Sequence, residues 1–163
     1  MSRTTFSGPV KSLNGFEGAV IATTPNNVTA ATISATTLAT YAGSVVTLNA
    51  AAGQAITLPA ALGTGSEYRL FVGTTITSNS TTVSVANSTD IMAGVAIVAN
   101  DTDASASIFE TAADSDTITL NGTTTGGIKG CMIELIDVAS GLWFVRITGS
   151  ATGSEATPFS AAV

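Results

Sequence analysis

The sequence predicts an all-β fold: an antiparallel β-sandwich of jelly-roll type, preceded by an extended N-terminal arm. Three observations predict it. Turn residues recur roughly every 8 to 12 residues, the rhythm of sandwiches and barrels. The segments between them are short and rich in Thr, Val and Ile, which are stiff at χ1 and favour extended backbone. No segment carries a sustained apolar stripe at helical spacing, and Ala60–Gly63 could form one helical turn at most.

Residues 1–42 read as the arm. Phe6, Val10, Leu13, Phe16, Val20 and Ile21 lie among Gly8, Pro9, Gly15 and Gly18, too broken a pattern to form a packed face of their own. They are the candidate interface residues, to be buried against a sister subunit or another protein. From Thr23 to Ala42 the chain is mostly Thr, Ala, Asn and Ser. Val28, Ile33, Leu38 and Tyr41 recur there about every five residues, which matches neither the 3.6 period of a helix nor the alternation of a strand.

Residues 43–148 read as the β-sandwich body. Ser44–Asn49 and Ala55–Leu58 are strands separated by a turn at Gly53, and Pro59 ends the second because it cannot donate to a ladder. Gly63 and Gly65 mark a loop before the strand Glu67–Val72. Thr74–Thr77 and Thr82–Ala86 flank Ser78-Asn79-Ser80 as a hairpin, and Gly94–Asn100 and Ser105–Thr111 flank Asp101-Thr102-Asp103 as another. Thr117–Leu120 runs into Asn121-Gly122, a dipeptide suited to tight turns. Cys131–Val138 and Leu142–Thr148 form the clearest hairpin, closed by Ala139-Ser140-Gly141. Residues 149–163 form a small-residue tail or edge strand containing Pro158 and Phe159.

Composition narrows the chemistry. The chain has 163 residues, no histidine, one cysteine, 10% charged residues and a net charge of −6. Without histidine it lacks the side chain that most readily acts as general base and metal ligand near neutral pH. Serines are plentiful, but no base activates them and no nucleophile elbow is present. No catalytic residue, cofactor or metal is expected, and the protein reads as a non-enzyme. The basic residues Arg3, Lys11, Arg69, Lys129 and Arg146 are scattered, so no direct nucleic-acid partner is expected. The longest apolar run, Ile91–Ala99, is far shorter than the ~20 residues of a membrane span. Met1–Val10 lacks the apolar core of a secretory signal, so synthesis in a cytoplasm is expected.

Each candidate site has a plainer reading. Asp101 with Asp103, and Asp114 with Asp116, could offer oxygen ligands to Ca²⁺. They lack the closing glutamate of a calcium loop and read as solvated turn residues. Gly122–Lys129 has the glycine spacing of a phosphate loop, but Ile128 stands where lysine is required, so it reads as a flexible inter-strand loop. Cys131 sits among apolar neighbours as a buried thiol. Val, Ile and Leu, with Phe71, Phe109, Trp143 and Phe144, are expected to supply the core. Alternation sends Trp143 and Phe144 to opposite faces of their strand, leaving one for a neighbour or, as a stacking platform, a sugar. The stretches 75–82 and 117–124 echo one another, which similar turn chemistry in a Thr-rich chain accounts for.

Several stretches together carry a likeness. They are Met1-Ser2-Arg3-Thr4-Thr5-Phe6-Ser7-Gly8-Pro9-Val10-Lys11-Ser12 with Asn14-Gly15-Phe16, then Ile56-Thr57-Leu58-Pro59-Ala60-Ala61 with Gly63-Thr64-Gly65 and Tyr68-Arg69-Leu70-Phe71-Val72, then Phe109 to Gly122. With Trp143 and Val145 they resemble the capsid decoration (cement) proteins of tailed bacteriophages. That resemblance implies an all-β virion protein, a homotrimer, on the outer surface of the capsid. Its partner would be the major capsid protein, whose subunits it would brace. It implies no catalytic residues. The alternative is a fibre or head-appendage domain that binds host-surface glycans through loops and Trp143.

Overall fold

The structure, a computed structural model, describes residues 27–163. It is mostly β. In chain order the elements are β1 (Asn27–Val28), β2 (Thr32–Ile33), α1 (Ala35–Ala39), β3 (Val45–Leu48), β4 (Ala55–Thr57), β5 (Glu67–Val72) and β6 (Thr81–Ser84). They continue with β7 (Ile91–Ala99), β8 (Ala106–Glu110), β9 (Thr117–Leu120), β10 (Met132–Ala139), β11 (Leu142–Ser150) and β12 (Phe159–Ser160). A seven-stranded sheet has the order β1-β3-β5-β10-β11-β7-β8, and a five-stranded sheet the order β12-β9-β6-β4-β2.

Both sheets are mixed, which corrects the expectation of antiparallel, jelly-roll-type pairing throughout. β1, β3 and β5 run parallel, as do β2, β4 and β6, and β7 runs parallel to β11. The cause lies in the turns. Up to β6 the chain changes sheets between successive strands, so strands that pair within a sheet point the same way. The turn at Gly53 is therefore a corner between sheets, not a hairpin. Ala51 O accepts from Thr77 N at 2.8 Å and Ala52 O accepts from the Asn79 side chain at 3.2 Å, which stacks this corner against the next. Gly53 has φ 77°, and a Cβ there would lie 2.6 Å from Ser80 O. Buried Gln54 ties the corner to the preceding one, its side-chain amide donating to Ala30 O at 2.7 Å and Val28 O at 3.2 Å. Thr74–Thr77, expected as half of a hairpin, lies in this corner and is not a strand.

The second half of the chain follows the sequence more closely. β7 and β8 pair antiparallel across the Asp101–Asp103 turn, and β10 and β11 form the predicted hairpin. β12 pairs antiparallel with β9 at the edge of the five-stranded sheet. The alternating patterns of β5 and β10 bury one face of each strand. One buried cluster draws Leu70, Ile133, Leu135, Val145 and Ile147 from the larger sheet and Ile56, Val83, Ile118 and Leu120 from the smaller. Trp143 packs tilted against Tyr68 with ring centroids 5.9 Å apart. Phe109 lies partly buried against the cluster. Phe71 and Phe144, expected in the core, are on the opposite face of the larger sheet.

The expected arm divides at residue 27. Residues 1–26, with Phe6, Val10, Leu13, Phe16, Val20 and Ile21, lie outside the described residues. Residues 27–42 belong to the body, where Ile33 and Leu38 are in the core and Val28 and Tyr41 pack against it. Their spacing fits no single period because each sits in a different place: β1, β2, α1 and the turn after α1. Ser34 caps α1, its hydroxyl accepting from Thr37 N at 3.3 Å. Ala60–Gly63 forms no helical turn; Leu62 makes an isolated bridge to Ser140.

Candidate functional site

The chemistry-bearing side chains among the described residues fall into two groups, one internal and one on a sheet face. The internal group is three carboxylates. Asp90 accepts from Ala61 N at 2.9 Å. Asp137 accepts from the next three backbone N–H groups, Leu62 at 3.2 Å, Gly63 at 2.7 Å and Thr64 at 2.9 Å, and from the Thr64 hydroxyl at 2.7 Å. Two acids 47 positions apart thus hold every N–H of Ala61–Thr64. Desolvation pushes the Asp137 carboxyl up, but the donors from Thr64, Gly63 and Leu62 outweigh it and hold the group below the ordinary carboxylate value.

Asp116 is the third. It accepts from Ala162 N at 2.7 Å, Val163 N at 3.1 Å and the Thr117 hydroxyl at 2.8 Å. Desolvation is again outweighed by these donors, and its pKa is lowered. The reading of Asp116 as a solvated turn residue is therefore corrected: it is buried and pins the C-terminal segment after β12. Asp101, Asp103 and Asp114 are exposed. Among the described residues no group of three or more His, Cys, Asp or Glu could hold a metal ion.

The glycine-rich loop is packed, with Gly122, Gly126 and Gly127 buried. Asn121 Oδ1 accepts from Thr123 N at 2.9 Å and Thr125 N at 3.1 Å, and this closes the turn. The expected flexible loop is thus built from the inside. Cys131 is buried, with Sγ 3.7 Å from Ser150 O. Trp143 is buried against Tyr68 and offers no stacking platform to a sugar.

The second group occupies the outward face of the seven-stranded sheet. Strand register assembles it in three rows. One row runs Thr47, Phe71, Met132, Thr148, Ile97, Ile108. The middle row runs Val45, Arg69, Glu134, Arg146, Val95, Glu110. The third runs Glu67, Ile136, Phe144, Ala93. Ile108 is 66% exposed, Ile97 39% and Phe144 37%. The charges pair locally. Arg69 donates to both Glu67 oxygens, at 2.7 and 3.2 Å, and Arg146 pairs with Glu134 across the hairpin. The hydrogen bond from Arg69 holds the Glu67 carboxyl below its ordinary value. Large apolar side chains thus flank a row of alternating charge on a sheet face that no other described element covers.

The sequence carried a signal for this face. In Met132-Ile133-Glu134-Leu135-Ile136 both phases of the strand period carry large apolar residues, with Glu134 the one exception on the outward phase, a pattern close to that of a strand covered on both sides. Met132, Ile136, Ile97 and Ile108 were not singled out, and Phe71 was expected in the core, because single-strand alternation does not show which outward residues become neighbours. Among the described residues no helix is long and apolar enough to cross a membrane. No family model, curated protein or solved structure matches the chain.

Proposed function

We propose that this protein is a structural component of a phage virion, binding the outer surface of the capsid and stabilising contacts between shell subunits. In this reading its two sheets stack as a sandwich, residues 1–26 form the arm, and copies assemble as a homotrimer after synthesis in the host cytoplasm. The observation that supports an assembly role is the outward face of the larger sheet, where Phe144, Ile97 and Ile108 are exposed and no other described element covers them. Such a face marks a surface made to be covered by another protein. The resemblance of the chain to capsid decoration proteins supplies the setting. The lack of histidine fits an assembly role, and burial between subunits adds stability by mass action.

Quantitative mass spectrometry of purified particles carrying this chain tests the reading. A copy number comparable with that of the major capsid protein is expected. A handful of copies per particle, as for a fibre, would sink it. The glycan-binding alternative loses its platform with the burial of Trp143.

A further inference from the structure

We infer that the occupant of the outward face of the seven-stranded sheet is a second copy of this chain. The inference rests on the assembly reading above and names the partner of that face, leaving the arm for the shell.

Charge is the first argument. The chain is acidic, with a net charge of −6. Among the described residues the bases are Arg69, Arg146 and Lys129, and the first two lie on this face. There they balance Glu67 and Glu134, with Glu110 at the outer edge. The face is therefore nearly neutral and a place where two acidic copies meet with little like-charge repulsion. The alternating row Arg69, Glu134, Arg146 is also self-complementary.

Size is the second argument. Six strands spaced by about 4.8 Å, with three outward residues on each of the four inner strands and two on each of β3 and β8, span roughly 24 Å by 13 Å between outermost Cα atoms. With side-chain breadth added, this comes to the lower range of specific interfaces, which average ~800 Å² per partner. Apolar side chains above and below the charged row would supply the desolvated contacts that carry most of an association energy.

Sedimentation velocity of the full chain over a concentration series tests the inference without any shell present. The wild-type chain is expected to associate reversibly. Phe144→Glu and Ile108→Glu, both at exposed positions, should each raise the dissociation constant at least about tenfold with an unchanged far-UV spectrum. Glu134→Arg should weaken association, and Glu134→Arg with Arg146→Glu should restore it. A wild-type chain that stays monomeric overturns the inference. So does association that survives both Phe144→Glu and Ile108→Glu. If deleting residues 1–22 abolishes association while these variants keep it, the arm joins the copies and the inference falls. The particle copy number is read separately: a monomer abundant on particles defeats this inference and the homotrimer but leaves the shell-binding role, and an associating chain scarce on particles defeats only the shell-binding role.

Discussion

Thr64 gives Asp137 two hydrogen bonds, one from its backbone N–H at 2.9 Å and one from its hydroxyl at 2.7 Å. With Gly63 and Leu62 adding theirs, one buried carboxylate fixes the loop that enters β5. Leu62, 69% exposed, is displayed on a segment whose backbone has no slack.

Removing that carboxylate leaves buried donors without a partner, a larger loss than an ordinary surface hydrogen bond. Asp137→Ala should destabilise the protein by about 2–4 kcal/mol in urea unfolding. A loss below about 0.5 kcal/mol would show that water replaces the carboxylate at no cost.

The same group sets an acid dependence. Its folded pKa is depressed, so its contribution is complete above the unfolded carboxylate value of about 3.9 and disappears as pH falls through the folded value. The stability gap between wild type and Asp137→Asn should be wide at pH 7 and should narrow below about pH 4. Thermal melts across that range check it; a gap that widens in acid contradicts the assignment.

Asp116 predicts a local effect. Asp116→Asn leaves one accepting oxygen where two now serve Ala162 N and Val163 N, and sets an NH2 donor in place of the other. Hydrogen exchange at these two amides should accelerate while β10 and β11 keep their protection. Equal acceleration throughout would mean that the C-terminal segment is part of the global folding unit.

Gly122 is a steric test of the packed loop. It has φ 80°, and a Cβ there would stand 1.8 Å from Ile76 O, a backbone atom. Gly122→Ala should lower the melting temperature by roughly 5–10 °C. Gly43→Ala is the control for positive φ alone, because nothing lies within 4 Å of the added atom; an equal loss in both variants would remove the steric explanation.

The proposed arm carries the last prediction. Deleting residues 1–22 should abolish attachment to particles while leaving the β spectrum intact. Undiminished attachment of the shortened chain would place the shell contact on the body.

Strand positions were legible wherever alternation and a turn residue agreed. β5 and β9 fall on the predicted spans, and the β10–β11 hairpin pairs as expected. Pairing direction was not legible in the first half. A turn such as Ala51-Ala52-Gly53 has the same composition whether it folds a strand back or carries it to the other sheet. No fixed repeat betrays the stacked corners, because Asn27, Thr47 and Phe71 are partners at unequal spacings. The buried acids were hidden for a related reason. Asp137 and Asp116 find their donors at distant positions, and a local reading sees only an acid near a turn. The outward face needed the register of six strands before Phe71, Met132 and Ile97 could be seen as one row.

β10 and β11 occupy the middle of the seven-stranded sheet, between β5 and β7, although they are nearly the last strands made. A growing chain therefore exposes the edges of β5 and β7 until residues 132–150 have left the ribosome. Folding waits on these late, long-range pairings and is expected to be slow. During that interval the nascent chain is most vulnerable to pairing with the wrong neighbour. When β10 and β11 slot in, they complete the sheet and create the outward rows in the same step. A copy that has not finished folding thus has no finished face to offer, and in the proposed assembly only mature subunits would associate.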